Sequence, residues 1–337
     1  MSDALLSVRG LQKQFNVRPG LFGYGGVKID AVSGVSFELA RGETLAIVGE
    51  SGCGKSTVGR CILRLVDRNE GEIHLDGERI DELPSRRVRL LRKKIQVVFQ
   101  DPFSSLNPRL KIRDVLAEPL TNFGLVASRS ERDARILELL RMVGLPEDCT
   151  DRWPHEFSGG QRQRIGIARA LASDPQVMIC DEAVSALDVS VKAQIVNLLR
   201  DLQRKTGIAI LFISHDLAIV ENIAHRVAVM YLGKIVEIAR TRDIISSPKH
   251  PYTRALLSAV PIPDPKRRRV HDVIHGEIPS PANPPSGCRF HTRCPYVHDR
   301  CLKEEPPLAE TSAGGRLACH LKELPEVRTP ASVSGAA

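Results

Sequence analysis

Along the first stretch of the chain apolar and polar residues alternate, as in SVRGL (7–11) and GVSFEL (34–39). That period of two predicts β-strands, and RPGLFGYGG (18–26) between them reads as a glycine-rich loop. The pattern then changes. TLAIV (44–48), IQVVF (95–99), QVMIC (176–180) and IAILFI (208–213) are short, continuously apolar runs, the pattern of parallel strands buried on both faces. Helical periods separate them. SERDARILELLRMVG (130–144) predicts an amphipathic helix capped by Ser130 and stopped at Gly144. RVAVMYLGKIVEIA (226–239) predicts a hairpin turning at Leu232-Gly233. Buried strands alternating with helices make this an α/β chain built on a parallel sheet.

After SSPKHPYTRALLSAVP (246–261) the composition shifts. Pro261, Pro263, Pro265, Pro279, Pro281, Pro284 and Pro285 predict a turn-rich module rather than a continuation of the core. Its four cysteines, Cys288, Cys294, Cys301 and Cys319, follow, and residues 331–337 are expected to be disordered. A length of 337 residues suggests two domains.

The net charge of +8 gathers in Arg86, Arg87, Arg89, Arg92, Lys93 and Lys94 and in Lys266, Arg267, Arg268 and Arg269, which read as solvated faces or loops. Aromatic residues are few, with Trp153 the single tryptophan, so no stacking platform for single-stranded nucleic acid is expected. The start, MSDALLSVRGLQKQF, does not have the layout of a signal peptide. No run approaches the roughly 18 apolar residues of a membrane span. A soluble chain kept in a reducing compartment follows as the expectation, and there eight cysteines do not form a disulfide framework.

The first chemistry lies where TLAIV runs into GESGCGKST, that is Gly49, Glu50, Ser51, Gly52, Cys53, Gly54, Lys55, Ser56 and Thr57. Strand, G-x-x-x-x-G-K-[ST] and helix in succession form a phosphate-binding loop. Glycines let backbone N–H groups wrap a phosphate, and the helix N-terminus adds donors. Lys55 is placed for the β- and γ-phosphates and Ser56 for Mg²⁺. VMICDEA ends a buried strand in Asp181, a second Mg²⁺ candidate, and Glu182, a candidate general base for water. ILFISHD ends another in His215, which can reach a γ-phosphate. FSGGQRQR (157–164) opens a helix with Ser158, Gly159, Gly160 and Gln161, a second anion site about 105 residues after the first. One nucleotide does not need both, so a head-to-tail dimer is expected, each chain's second site capping the nucleotide on the other's loop.

GESGCGKST, Gln100 in VVFQDP, FSGGQ, VMICDE, SALD and SHD resemble, in order and spacing over roughly residues 5–250, the nucleotide-binding subunit of ABC transporters. The resemblance implies a RecA-like core with an N-terminal antiparallel β subdomain and an inserted helical subdomain at about 101–175. It also implies two ATP molecules in a sandwich dimer. Gln100 then matches the residue that senses Mg²⁺ and the membrane partner. Ser158, Gly159, Gly160 and Gln161 match the signature contacting the opposite ATP, and Asp188 the loop crossing the interface. Phe15 is the best match for the adenine-stacking aromatic, with Phe22 and Tyr24 as candidates. Ala183 stands where the family often has proline, and Phe157 where leucine is commoner; neither change removes a ligand group.

VFQDPFSSLNPR, DEAVSALDVSVKAQIVNLL, HPYTRALLSAVP and GEIPSPANPPSGCRFHTRCPYVHDRC resemble the ATPase subunits of dipeptide and oligopeptide importers. The resemblance implies an ATPase domain over 1–255 and an importer-specific module over 256–330. It implies turnover of ATP and water to ADP and phosphate, energising peptide uptake at the cytoplasmic face of the plasma membrane. The implied partners are a second, related ATPase subunit, two membrane permeases and an external peptide-binding protein. Importers of nickel or glutathione share the C-terminal pattern, so the substrate stays open. ABC ATPases acting on ribosomes or DNA fit less well: only about 125 residues separate Lys55 from Asp181, and the chain holds a single cassette.

The C-x₅-C-x₆-C-x₁₇-C spacing of the terminal cysteines has no C-x₂-C pair. Spacing leaves buried thiols, zinc (with His291, His298 or His320) and an iron–sulfur cluster all open. The family resemblance implies a [4Fe–4S] cluster on Cys288, Cys294, Cys301 and Cys319. Cys61, Cys149 and Cys180 read as packing residues, and Cys53 as a variable loop position.

Overall fold

The computed structural model describes residues 4–17, 27–101, 105–259, 276–312, 314–321 and 324–325. The predicted loop at 18–26 with Phe22 and Tyr24, the basic run at 266–269, Pro261, Pro263 and Pro265, and the tail at 331–337 lie outside them.

The alternating N-terminal pattern forms β1 (Ala4–Val17) and β2 (Val27–Ala40), which pair antiparallel. The next strand, β3 (Thr44–Val48), leads through the phosphate loop into α1 (Lys55–Ile62). Two short strands, β4 (Glu70–Leu75) and β5 (Glu78–Arg79), complete the antiparallel sheet in the order β2-β1-β4-β5. The chain then forms α2 (Ser85–Lys94), β6 (Ile95–Val98), α3 (Ile112–Asn122), α4 (Arg129–Met142) and α5 (Gly159–Leu171). The buried runs return as β7 (Val177–Asp181), α6 (Val189–Thr206), β8 (Ala209–Ser214) and α7 (Leu217–Ile223). The hairpin β9 (Arg226–Tyr231) and β10 (Lys234–Arg240) follows, then α8 (Thr241–Ser246) and α9 (Pro251–Ser258). Beyond it lie α10 (Asp299–Lys303), β11 (Ala309–Glu310) and β12 (Arg316–Leu317).

The second sheet runs β11-β12-β10-β9-β3-β8-β7-β6. All four continuously apolar runs fall in its parallel part, where β3, β6, β7, β8 and β9 pair in parallel. Their side chains alternate between two cores. Leu45, Ile47, Val177, Ile179, Leu211 and Ile213 pack with α1 and the antiparallel sheet. Ala46, Val48, Met178, Cys180, Ile210 and Phe212 pack on the other side with the helices. A strand covered on both faces has no polar side, which is why these runs show no alternation.

The hairpin turns at Leu232 (φ 40°) and Gly233 (φ 81°), the left-handed pair that a two-residue turn requires. One expectation is corrected: the cap of α4 is Ser128, not Ser130. Ser128 is extended and its Oγ accepts from Glu131 N–H at 3.1 Å, while Glu131 Oε2 accepts from Ala127 N–H at 2.7 Å. The Ser-x-x-Glu spacing starts at Ser128, although the Glu131 carboxylate bonds back to Ala127 rather than to the cap residue itself. Cys61, Cys149 and Cys180 are packed in the cores, as expected.

The C-terminal module docks through Phe290. Its ring is buried edge-on to Tyr231, at 5.2 Å between centroids, and lies 5.4 Å from Tyr252 and 5.7 Å from His250. Truncating such a ring leaves a cavity that its neighbours only partly fill. Phe290→Ala should therefore cost about 3–5 kcal/mol. Denaturant unfolding, together with faster proteolysis of the 276–321 region, checks this.

Candidate nucleotide site

Parallel pairing sets the site's height. Val48 lies level with Ser214, and Asp181 with Ile213, so β3, β8 and β7 end together. Catalytic groups on open α/β sheets collect at this edge. Backbone contact then decides the loop that follows β3. A Cβ added to Gly49 (φ 153°) would stand 2.1 Å from the Met230 carbonyl oxygen, and one on Gly54 (φ 105°) 2.0 Å from that of Ala31. Neither position admits another residue.

Within the loop, the buried Lys55 Nζ donates to the carbonyls of Gly49 (2.8 Å) and Glu50 (3.0 Å). Ser56 Oγ donates to Asp181 Oδ1 at 2.7 Å, bringing together two residues 125 positions apart. Hydroxyl and carboxylate form a hard oxygen pair, the donor type Mg²⁺ prefers. Burial pushes the Asp181 carboxyl up, against the opposing pull of Ser56, Arg60 and Lys55. Glu182 follows in the left-handed region (φ 49°), with its N–H on the Ile213 carbonyl (3.0 Å) and its own carbonyl held by Ser185 Oγ (2.9 Å). Such a conformation in a non-glycine residue costs about 1–3 kcal/mol and is typical of functional sites. Here it turns the side chain so that Oε1 lies 3.7 Å from Nδ1 of the exposed His215.

The other predicted residues lie on other elements or elsewhere on the loop. Ser158 caps α5 reciprocally: its Oγ accepts from Gln161 N–H (3.4 Å), and Gln161 Oε1 accepts from Ser158 N–H (3.0 Å). Both bonds are local and Ser158 is exposed, leaving the helix start facing outward. Asp188 is exposed at the start of α6, beside Val189 at 84% exposure. Gln100 is exposed just past β6. Phe15 is 38% exposed with Lys13 Nζ 5.1 Å from its ring centroid, so it is not a core residue. Ser51 and Gly52 are exposed, while Cys53 is buried and burial raises its pKa.

Three contacts to the loop have no counterpart in the linear motifs. The Tyr252 hydroxyl accepts from Glu50 N–H at 2.9 Å. Both terminal nitrogens of Arg293 donate to the Glu50 carboxylate, at 2.9 and 3.1 Å. Gly233 N–H donates to the Cys53 carbonyl at 2.9 Å. Tyr252 and Arg293 lie 202 and 243 positions from Glu50, a separation across which no spacing rule reaches.

The terminal cysteines differ from the packing ones. Cys288, Cys294 and Cys319 are half-buried and Cys301 is buried. Burial pushes Cys288 up to about 12 and Cys294 to about 11. Backbone N–H groups two positions on pull the pKa values of Cys288, Cys294 and Cys319 down, against burial and the neighbouring cysteines, which raise them. Among the described residues, however, no group of three or more His, Cys, Asp or Glu is gathered to hold a metal ion. His291 Nδ1 lies 2.9 Å from the Cys288 carbonyl and His320 Nε2 2.9 Å from that of Glu304, so those ring nitrogens are engaged with backbone.

An ionised Asp181 bears a desolvation cost. A carboxyl with a raised folded pKa makes the folded chain bind more protons than the unfolded one, so stability falls as pH rises from its ordinary value through the raised one. At pH 7 Asp181→Asn should therefore raise the melting temperature of the nucleotide-free protein while lowering Mg²⁺-dependent hydrolysis by about a hundredfold or more. Calorimetry and a phosphate-release assay check the two opposite signs.

Residues 32–185 match the family model for ABC transporters, and 236–301 that for the oligopeptide/dipeptide transporter C-terminal region. The chain is 50% identical to the Bacillus subtilis oligopeptide transport ATP-binding protein AppF, over 95% of this chain and 98% of that one. It is also 50% identical to the Haemophilus influenzae dipeptide transport ATP-binding protein DppF, over 94% and 96%. Among solved structures it resembles the dimeric ATP-binding cassette MJ0796 bound to ADP and Pi, with TM-score 0.62 and 30% identity over 70% of this chain and 99% of that one. It likewise resembles cbiO1 of Clostridium perfringens, with TM-score 0.63 and 28% identity over 73% and 92%. The loop after β3, the acidic end of β7 and these likenesses agree: the chain belongs to the ATP-binding proteins of the oligopeptide/dipeptide ABC transporter family.

Proposed function

We propose that this chain hydrolyses ATP to ADP and phosphate to drive uptake of di- or oligopeptides through a pair of membrane permeases. The carrying observation is the Ser56–Asp181 hydrogen bond, with Glu182 and His215 beside it at the strand ends. The backbone N–H groups of 49–57 cradle the phosphates, and Lys55 turns from the loop carbonyls to their oxygens. Ser56, Asp181 and Gln100 would hold Mg²⁺, which would supply charge neutralisation to the transferring phosphoryl group. Glu182 accepts the proton of the attacking water and His215 steadies the γ-phosphate. Phe15 stacks on adenine.

Ser158, Gly159, Gly160 and Gln161, with Asp188, serve the nucleotide of a second ATPase subunit, a related but different chain. The outward-facing start of α5 supports this reading. No described helix is long and apolar enough to cross a membrane, which supports peripheral attachment, here assigned to the cytoplasmic face. An external peptide-binding protein would deliver the substrate. We divide the chain into an ATPase domain at 1–255, with its helical subdomain at about 101–175, a module at 256–330 and a tail at 331–337. Glu182→Gln should lower turnover about 10²–10⁴-fold while keeping ATP bound and favouring the dimer. Phosphate release and size-exclusion with ATP decide it; turnover at the unaltered rate removes Glu182 from this role.

We further assign Cys288, Cys294, Cys301 and Cys319 to a [4Fe–4S] cluster. Four soft sulfur donors near enough to raise one another's pKa values, with backbone N–H groups that stabilise the ionised form of three, favour a shared soft cation. Protein purified without oxygen should contain about four iron and four sulfide per chain, lost on Cys→Ser substitution. Stoichiometric zinc without sulfide would establish a zinc site instead, and neither metal nor sulfide would leave packing thiols.

A further inference from the structure

Cys288-Arg289-Phe290-His291-Thr292-Arg293-Cys294 lies against the phosphate loop and its supports, although nothing in the nucleotide site as assigned requires it. Arg289 donates to the Leu232 carbonyl and, at 3.0 Å, to Ser33 Oγ. Phe290 fills the aromatic cluster beneath Tyr231 and Tyr252. Arg293, its side chain only 7% exposed, forms the two-pronged bond to Glu50 and lies 3.4 Å from the Tyr231 hydroxyl.

Every polar group of Glu50 is thereby committed. Its N–H goes to Tyr252, its carbonyl accepts from Lys55, and its carboxylate accepts from Arg293. The planar guanidinium fixes the direction of a carboxylate as well as its distance, which a single-point cation does not. A carboxylate is also an awkward neighbour for a triphosphate. It sits on the loop that gathers N–H donors for an anion, and its uncompensated charge would repel that anion. Arg293 removes the repulsion with a bond that solvent scarcely reaches.

We propose that Arg293 is a positioning residue for nucleotide binding: it holds Glu50 in place and cancels its charge, so that the cysteine-bearing module sets the phosphate loop's affinity for ATP. This rests on the reading of 49–57 as the ATP phosphate site. The test is equilibrium binding of ATP to the full chain, with steady-state hydrolysis alongside. In Arg293→Ala the bare, partly buried carboxylate should weaken ATP binding about tenfold, with KM rising far more than kcat falls. Arg293→Lys restores the charge without the fork and should recover part of that loss. Glu50→Gln should act in the opposite direction, tightening ATP about threefold, because it leaves a cation beside the phosphates. In the double variant the loss should shrink to within a few fold of the unaltered chain.

Two results would overturn the proposal. One is ATP binding by Arg293→Ala within twofold of the unaltered chain; the other is Glu50→Gln weakening binding as much as Arg293→Ala does, which would mean that the pair only braces the fold. Should Arg293→Ala not fold, Glu50→Gln and Arg293→Lys still give the opposite signs on which the proposal depends. Lys55→Ala separates the underlying reading. If that variant binds ATP normally, the phosphate-site assignment fails whatever Arg293 does.

Discussion

The parallel hydrogen-bond register of β3, β8 and β7 is the constraint on which the site depends. It sets Val48 beside Ser214 and Ile213 beside Asp181, so the phosphate loop, the acidic pair and the histidine emerge at one height. Slipping β7 by one residue would turn Met178 and Cys180 into the core that now holds Val177 and Ile179, and would carry Asp181 away from Ser56. The apolar burial of both faces therefore also fixes the chemistry. Glu182 marks where the register stops: its left-handed backbone leaves the strand while its N–H still bonds to Ile213.

Around that edge the chain approaches itself more closely than side chains allow. The Met230 and Ala31 carbonyls press on Gly49 and Gly54 from β9 and β2. The loop is thus held by both sheets, and by the turn at Leu232-Gly233, before any residue of the C-terminal module touches it. Tyr252 and Arg293 add a third side. This arrangement gives the proline-rich segment a structural reason to lie where it does. Its described part has little core of its own, and it borrows one by inserting Phe290 among Tyr231, Tyr252 and His250.

The eight cysteines divide by surroundings. Cys61 and Cys180 sit in apolar cores, where burial alone accounts for most of the rise to about 11 and about 12. The terminal four lie close enough to raise one another's pKa values, while backbone N–H groups lower those of three. Uncharged thiols would gain little from those donors, whereas thiolates would gain much.

Sequence alone determined the α/β class, the buried strands at 44–48, 95–99, 176–180 and 208–213 to within one residue of their observed ends, the hairpin turn and the phosphate loop. Each is local: an apolar run buried on both faces, a left-handed Leu-Gly pair, a glycine pattern between strand and helix. It also picked out Asp181, Glu182 and His215, because a polar residue ending an apolar strand must lie at the sheet's edge. Ser128 and Ser130 compete for the cap of α4, and only the backbone shows that the Glu131 N–H donates to Ser128. Tertiary structure alone decided which distant residues meet: Ser56 with Asp181, Glu50 with Tyr252 and Arg293, Gly54 with the Ala31 carbonyl. Those meetings follow from the packing of two sheets and a borrowed aromatic core, and a folded chain brings together residues whose separation along the sequence carries no period to read.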